Sequence, residues 1–323
     1  VDLQRAVGPG LGRHLAAHTR RRGGQPVTGT EPDGGLVVRV ALLAVRLLEQ
    51  RVLLLDPRDG VAVHRREDGV ELAPELNARV EHADAESFDL AGVDGVYLDP
   101  ARRDGVKRLK NPADWSPSLD FAYGLAQQLP VGVKLGPGID RDLIPNDAEA
   151  QWVSVDHDVV EVGLWFGTLA RQNVRRAALV IGQHGAAELT AESDSEDVPV
   201  GSLGQFLYEP DGAVIRARLI GDLGRLISGR MLDRTIAYLT TDEPAETPFA
   251  QGFRIVADFA LDQRSLKREL ASRGIGTVEI KKRGVDIDPA AFRTALSPKG
   301  ENSATLFLTR VGGKRRALLA ERL

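Results

Sequence analysis

The sequence contains no cysteine. That absence removes a disulfide framework, a thiolate zinc site, an iron–sulfur cluster and a cysteine nucleophile together. Long apolar runs are missing as well: Leu36–Leu48 is broken by Arg39 and Arg46 and falls short of a membrane span. No charged-then-apolar leader opens the chain, so the expectation is a cytoplasmic protein with no membrane partner. The GxSxG and P-loop patterns are absent, and no Ser–His–Asp signature stands in their place. The histidines supply no ligand set. His14 and His18 are spaced i, i+4 without a third partner, and His157 sits between Asp156 and Asp158 in an expected turn. No metal is expected.

What is present is ordinary globular composition: 323 residues, 42% hydrophobic and 27% charged. At about 150 residues per domain this length suggests two or three domains. The net charge of −4 conceals an asymmetry. Residues 261–323 hold 14 Lys and Arg against 7 Asp and Glu, a net +7, which leaves −11 on the remainder. A basic block on an acidic body fits a module that meets a polyanion, joined to a larger module with another task; a basic solvated face is the bland alternative. The chain opens on Val1 inside an apparent strand, which reads as a fragment or a misread start.

Short aliphatic runs alternate with helical patterns through the first half. Expected strands are Pro26–Thr30, Val52–Leu55, Val61–His64, Gly95–Leu98, Val131–Leu135, Gln151–Ser154, Glu161–Phe166 and Ala177–Ile181. Expected helices are Leu11–Arg20, Leu36–Glu49, Ser118–Leu129 and a segment from Arg141. The alternation predicts an α/β fold with a doubly wound parallel sheet. Glu161–Phe166 and Ala177–Ile181, with no helix between them, read as a closing antiparallel hairpin. Residues 183–203, acidic and Ser-rich, read as a loop or linker that begins inside a hairpin. FLYEPDGAVIRARLIGDLGRLISG (206–229) reads as one helix, followed by a strand at Ile236–Thr240. From Phe249 a compact α+β module is expected: strand Phe253–Phe259, helix Asp262–Arg273, strand Thr277–Lys282, a helix from Asp288 to Leu296 opened by Pro289, and strands Ala304–Arg310 and Arg316–Leu323 about a Gly312–Gly313 turn.

Three constellations could carry chemistry. In the first, Asp2 and Leu3 lead into Gly8, Gly10 and Gly12 and a helix. A glycine turn there lets backbone approach a ligand at the helix N-terminus, and Glu31 follows at the distance where nucleotide folds place a ribose-binding carboxylate. In the second, Asp84 follows a short apolar segment and could face an adenine amino group, or simply cap a helix. The third is the strongest. Tyr97-Leu98-Asp99-Pro100-Ala101-Arg102-Arg103 ends a strand at the carboxyl edge of a parallel sheet, where such folds bind ligands. Pro100 holds Asp99 extended, while Arg102 and Arg103 are placed to meet carboxylate or phosphate oxygens. The PADWSP segment and Lys134-Leu135-Gly136-Pro137-Gly138 follow, the latter a further strand end with a Gly-Pro turn.

Taken together, DPARR, PADWSP, KLGPGI, EVGLWFG, FLYEPDGAVIRA, LDRTIAYLT and IKKRGVDIDP resemble the bacterial class I S-adenosylmethionine-dependent methyltransferase-like proteins with a C-terminal THUMP-like domain. The resemblance covers about residues 80–323. It implies a Rossmann-like methyltransferase domain (1–182), a linker with a small ferredoxin-like unit (183–248) and a THUMP-like domain (249–323). It further implies S-adenosylmethionine as cofactor and RNA as substrate, tRNA and rRNA included, because THUMP domains bind RNA. Asp2, Gly8, Gly10, Gly12, Glu31 and Asp84 would hold the cofactor. Asp99, Pro100, Arg102, Arg103 and Lys134 would form the catalytic edge, and Lys281, Lys282, Arg283, Arg310, Lys314, Arg315 and Arg316 would bind the RNA.

The chain also departs from the pattern. Where the family places Cys-x-Gly-x-Gly-Gly-Asp after the first strand, this chain reads QRAVGPGLGRH, and residues 34–78 match poorly. Part of residues 4–78 therefore reads as a frame-shifted translation. Arg102 stands where amino-group methyltransferases place the aromatic that stacks on a flipped base, which speaks against N6-adenine chemistry. Two other readings follow: a non-catalytic RNA-binding protein on a degenerate methyltransferase scaffold, and, from glycine spacing alone, an NAD-type dinucleotide binder.

Overall fold

Apolar runs too short for helices and bounded by Asp-Pro, Leu-Pro or Gly-Pro form the strands of the first unit. The computed structural model describes residues 52–55 as backbone, and 84–104, 107–183 and 185–323 with side chains, Asp104 excepted. The expected strands Pro26–Thr30 and Val61–His64 and the helices Leu11–Arg20 and Leu36–Glu49 lie outside these residues. The chain divides into two units. The first comprises the described residues up to Ala148 together with Gly163–Arg171; the second comprises Glu149–Val162 and Gln172–Leu323.

In the first unit β1 (Val52–Leu55), β2 (Gly95–Leu98) and β5 (Val131–Leu135) run parallel in the order β1-β2-β5, with Leu98 opposite Val133. All four residues of β2 are buried, as expected of a parallel strand covered on both faces. Between β2 and β5 come a two-stranded ribbon of β3 (Arg103–Asp104) and β4 (Lys107–Arg108), and helix α1 (Leu119–Ala126). Ser118 caps α1 by accepting from the Phe121 N–H at 3.2 Å, and the helix buries Leu119, Ala122 and Leu125. A Cβ at position 132 would lie 2.7 Å from Tyr97 and 2.9 Å from Trp165, so Gly132 is what lets those two rings meet, 5.9 Å between centroids.

The second unit starts with β6 (Glu149–Val155), which turns through Asp156 and His157, both at positive φ, into the first residues of β7 (Asp158–Trp165). Two consecutive left-handed residues make a hairpin turn whose twist suits the strands. The expected hairpin between Glu161–Phe166 and Ala177–Ile181 is therefore displaced. β8 (Arg176–Gly182) lies parallel to β6, and its antiparallel partner is β9 (Gly185–Ala191), with Arg176 opposite Ala191.

Residues 183–203 are accordingly no free linker. They contain β9, and their later residues pack against a helix: a Cβ at Gly221 would fall 1.8 Å from the Glu196 carbonyl oxygen, and Arg225 donates to that carbonyl at 3.0 Å. The single helix expected over 206–229 is replaced by three elements: β10 (Phe206–Pro210), α2 (Gly212–Arg216) and α3 (Ile220–Leu226). Pro210 cannot sit inside a helix, Asp211 caps α2 through the Ala213 N–H, and Arg218 at φ 61° separates α2 from α3.

The chain then forms β11 (Arg230–Asp233), β12 (Ile236–Thr241), β13 (Ala250–Ala260), α4 (Gln263–Ser272), β14 (Ile275–Lys282), α5 (Pro289–Leu296), β15 (Asn302–Val311) and β16 (Lys314–Arg322). Seven strands make one sheet in the order β11-β12-β10-β13-β16-β15-β14. One face carries a core of Leu266 and Leu270 from α4, Leu296 from α5, and Val278, Ile280, Leu306 and Leu319 beneath them. The opposite face has no helix in its core. Tyr238, Phe253, Phe307, Leu207, Leu232 and Leu318 are fully buried there because the sheet curls over them. Two bonds close the curl: the Gly312 N–H donates to the Leu232 carbonyl at 3.0 Å and the Gly313 N–H to Asp233 at 3.2 Å, although β11 stands five places from β15 in the order.

Candidate active site

Pro100 fixes the local conformation at the end of β2. It is buried, and it holds half-buried Asp99 in extended backbone at the carboxyl edge of the parallel strands. From the neighbouring strand the Lys134 ammonium reaches the Asp99 carboxylate in a close ion pair. β2 and β5 are adjacent and in register here, so the pair follows from strand geometry.

The chain beyond Pro100 is stapled to the PADWSP segment. Ala101 and Ser116 exchange backbone hydrogen bonds at 2.7 and 3.2 Å, the Trp115 indole N–H donates to the Leu109 carbonyl at 3.2 Å, and the Leu109 N–H donates to the Arg102 carbonyl at 2.9 Å. These bonds aim Arg102 across the edge at the β5 terminus. A Cβ on Gly136 would lie 1.9 Å from the Arg102 Nη1, so the guanidinium rests on the bare glycine backbone of the KLGPG turn. Its pKa is lowered, first by burial and then by like charge from Arg108; Asp99 opposes this, and Arg103 adds a smaller lowering effect.

Of the expected catalytic group, Asp99, Pro100, Arg102 and Lys134 thus converge on one edge. Arg103 lies exposed on β3, directly opposite Arg108 of β4. Asp84 is exposed at the start of a turn, its carboxylate accepting from the Glu86 N–H at 2.9 Å, so it closes a turn and caps no helix. Its turn is nonetheless tied to the same segment, because the Glu86 carboxylate accepts from the Ser118 N–H at 3.0 Å. Asp2, Gly8, Gly10, Gly12 and Glu31 lie outside the described residues. Two contributors were missing from the expected set: Arg108, visible only once the ribbon register is known, and Gly136, whose signal was its place directly after the strand end at Leu135.

The basic residues of the C-terminal module separate into two groups. Lys281 pairs with Glu209 at 2.6 Å and lies 5.9 Å from the centroid of Phe253. Arg283 reaches the same carboxylate at 3.6 Å with its guanidinium over the Tyr238 ring. Arg310 donates to the Thr235 hydroxyl at 2.7 Å and pairs with Asp233, while Arg316 pairs with Asp258 at 2.7 Å. Lys282, Lys314 and Arg315 are exposed. A concavity of about 660 Å3 lined by Val198, Val200, Met231, Asp233 and Arg234 also occurs in the second unit. Two carboxylates line it, Asp197 and Asp233, and Asp233 is already engaged by Thr235, Gly313 and Arg310. Among the described residues no helix is long and apolar enough to cross a membrane, and no group of three metal-ligating side chains occurs.

A family model described as THUMP domain-like matches residues 250–322, the stretch from β13 to β16. Two proteins of Mycobacterium tuberculosis, from strains CDC 1551 and H37Rv, are each 33% identical over 220 residues, or 67% of this chain, and each is named an uncharacterized S-adenosylmethionine-dependent methyltransferase. The chain spans 60% of the length of these relatives. A crystal structure described as a methyltransferase from Porphyromonas gingivalis W83 superposes with a TM-score of 0.58 at 22% identity, covering 71% of this chain and 59% of the other; at that identity it speaks for the fold. The chain is a homologue of S-adenosylmethionine-dependent methyltransferases, with a methyltransferase-like α/β fold and a THUMP-like domain at its C-terminus.

Proposed function

We propose that the protein is an S-adenosylmethionine-dependent methyltransferase that acts on RNA. The observation that carries this reading is the strand-end carboxylate of Asp99, held extended by Pro100 and paired with Lys134 at the carboxyl edge of two parallel strands. The THUMP-like domain supports RNA as the substrate class. The described residues fit the acceptor side of such a site: a carboxylate oriented by its neighbours, an ammonium beside it, and guanidiniums at the rim. Asp84 would serve the adenine of the cofactor, and the glycines with Asp2 and Glu31 would serve the rest.

When bound, S-adenosylmethionine supplies an activated methyl group on a sulfonium. The chain's own contribution is then positioning, which can supply several kcal/mol of the barrier. Asp99 accepts a hydrogen bond from the nucleotide group to be methylated and fixes its approach. Lys134 holds the carboxylate in one orientation. The bond from Ala101 to Ser116 keeps the strand end from moving as the nucleotide arrives. Arg102, in place of an aromatic ring, favours an anionic or hydrogen-bonding neighbour over a stacked base.

The test is calorimetric titration with S-adenosylmethionine, followed by mass spectrometry of nucleosides from RNA incubated with the protein and the cofactor. Asp99→Asn should retain cofactor binding and lose transfer by at least about a hundredfold, the usual scale for a positioned polar group. A protein that takes up no cofactor but retains RNA would instead be the non-catalytic RNA binder on the same scaffold.

A further inference from the structure

The ribbon after the candidate active-site strand holds charge in an arrangement that folding alone does not favour. Five cations, Arg102, Arg103, Lys107, Arg108 and Lys110, fall within nine residues. Arg103 and Arg108 are direct cross-strand partners in the β3–β4 register, and like charges directly opposite in an antiparallel pair destabilise it. Arg102 is drawn into the same field, half-buried against the Gly136 backbone. Asp99, the carboxylate whose charge acts on Arg102, is itself paired with Lys134. Among the described residues none of the three guanidiniums has a carboxylate in salt-bridge contact. The net repulsion on Arg102, from Arg108 and Arg103 together, points the same way.

We propose that Arg102, Arg103 and Arg108 form an oxyanion site at the carboxyl edge of β2, and that its ligand is a phosphodiester of the RNA strand beside the nucleotide being methylated. This rests on the RNA-methyltransferase reading and deepens it. Three cations suit a polyanion better than the single carboxylate of a cofactor, and two of them stand on an exposed ribbon, where a passing backbone can reach them. Planar guanidiniums match phosphate oxygens in paired hydrogen bonds. The site would act as a local register pin, separate from any grip by the C-terminal module. It also gives the tight Arg102–Gly136 contact a purpose: a glycine there leaves the guanidinium room to lie at the edge.

The test uses the full chain and a short fluorescein-labelled single-stranded RNA, with anisotropy read over a series of salt concentrations. Arg103→Glu with Arg108→Glu should raise Kd by at least about tenfold and flatten the salt dependence by about 1.4, the release expected for two phosphate contacts on a single strand. Cofactor titration should be unchanged. Arg103→Lys with Arg108→Lys should keep the wild-type slope, which a merely structural role for the ribbon would not predict. Gly136→Ala, which displaces the Arg102 guanidinium, should weaken RNA binding without altering the thermal midpoint of the second unit. Unchanged RNA affinity and slope in the double glutamate variant would overturn the proposal. So would a loss of cofactor affinity with RNA binding intact, since the anion would then be the cofactor's carboxylate. If the wild-type chain binds no RNA, titration with inorganic pyrophosphate separates the two ideas. Binding that the glutamate variant abolishes keeps the anion site and overturns the RNA ligand; no binding overturns both.

Discussion

Removing the Glu209 carboxylate should destabilise the second unit more than removing either of its cationic partners. Glu209 lies on β10 and answers both Lys281, at 2.6 Å, and Arg283, at 3.6 Å, which belong to the far edge of the same sheet. Its side chain is 18% exposed and that of Lys281 is 20% exposed. The pair therefore lies between the exposed case, about 0–1 kcal/mol, and the fully buried one, where loss of a partner costs roughly 3–5 kcal/mol. We expect about 2 kcal/mol for Glu209→Ala, because it strands two cations over the Phe253 and Tyr238 rings. Lys281→Ala should cost less, about 1 kcal/mol, because Arg283 remains to answer the carboxylate. In a unit of this size 2 kcal/mol corresponds to roughly 4–8 °C in thermal midpoint. The assay is thermal unfolding followed by circular dichroism on the full chain, with the double variant closing a cycle. Equal losses for the two single variants, or no loss in either, would refute the argument that one carboxylate closes the curled sheet. The result also bears on RNA binding: charge reversal at Lys281 and Arg283 would disturb this closure, so weakened RNA retention in that variant would not identify a nucleic-acid contact.

Further outcomes follow from the same structure. Asp211 is buried, caps α2 through the Ala213 N–H at 2.8 Å and lies 3.2 Å from the His157 Nδ1; Asp211→Ala should cost about 1–3 kcal/mol in a denaturant titration, and His157→Ala, whose side chain is half exposed, should cost far less. Gly313 sits at φ 79° with open space around its Cβ position, so Gly313→Ala should lose about 1–2 kcal/mol of purely conformational origin. Gly276→Ala, whose Cβ would meet the Gly300 carbonyl oxygen at 2.0 Å, should lose more; matched thermal melts would rank the two. The Arg230 side-chain hydrogen bond holds the Asp242 carboxyl below its ordinary 3.8. A depressed folded-state value means that the pair's stabilisation is present above 3.8 and is lost as pH falls through the lower, folded value. Thermal midpoints measured downward from pH 5 should therefore fall less steeply in Asp242→Asn than in wild type, and parallel curves would contradict this.

Much of the fold was legible because it rests on local chemistry. Gly95–Leu98 and Val131–Leu135 were expected with these bounds and occur with them, since a buried parallel strand is a continuous apolar run cut off by Asp-Pro or Gly-Pro. The caps of the C-terminal helices were readable for the same reason: Asp262 and Asp288 accept from N–H groups three residues on, and Pro289 takes a first-turn position. The helix expected over 206–229 failed because its apolar spacing satisfies a helical period even though Pro210 and the positive φ of Arg218 interrupt it. The hairpin expected at Glu161 and Ala177 failed because strand adjacency in sequence does not set pairing; β6 lies between the two strands, and β8 runs parallel to it.

The candidate site divides in the same way. Composition and strand-end motifs, taken alone, named Asp99, Pro100, Arg102 and Lys134, excluded cysteine chemistry and separated a basic C-terminal module from an acidic body. Those are statements about residue type and order, and they need no third dimension. Tertiary structure alone decided how each charge is used. It joined Lys134 to Asp99 across neighbouring strands, laid Arg102 on Gly136, and left Arg103 facing Arg108 across the ribbon. It also committed Lys281, Arg283, Arg310 and Arg316 to carboxylates within their own unit. The physical reason is that a charge's effect depends on the distance to its partners, and distances between residues remote in sequence are set only when the sheets close.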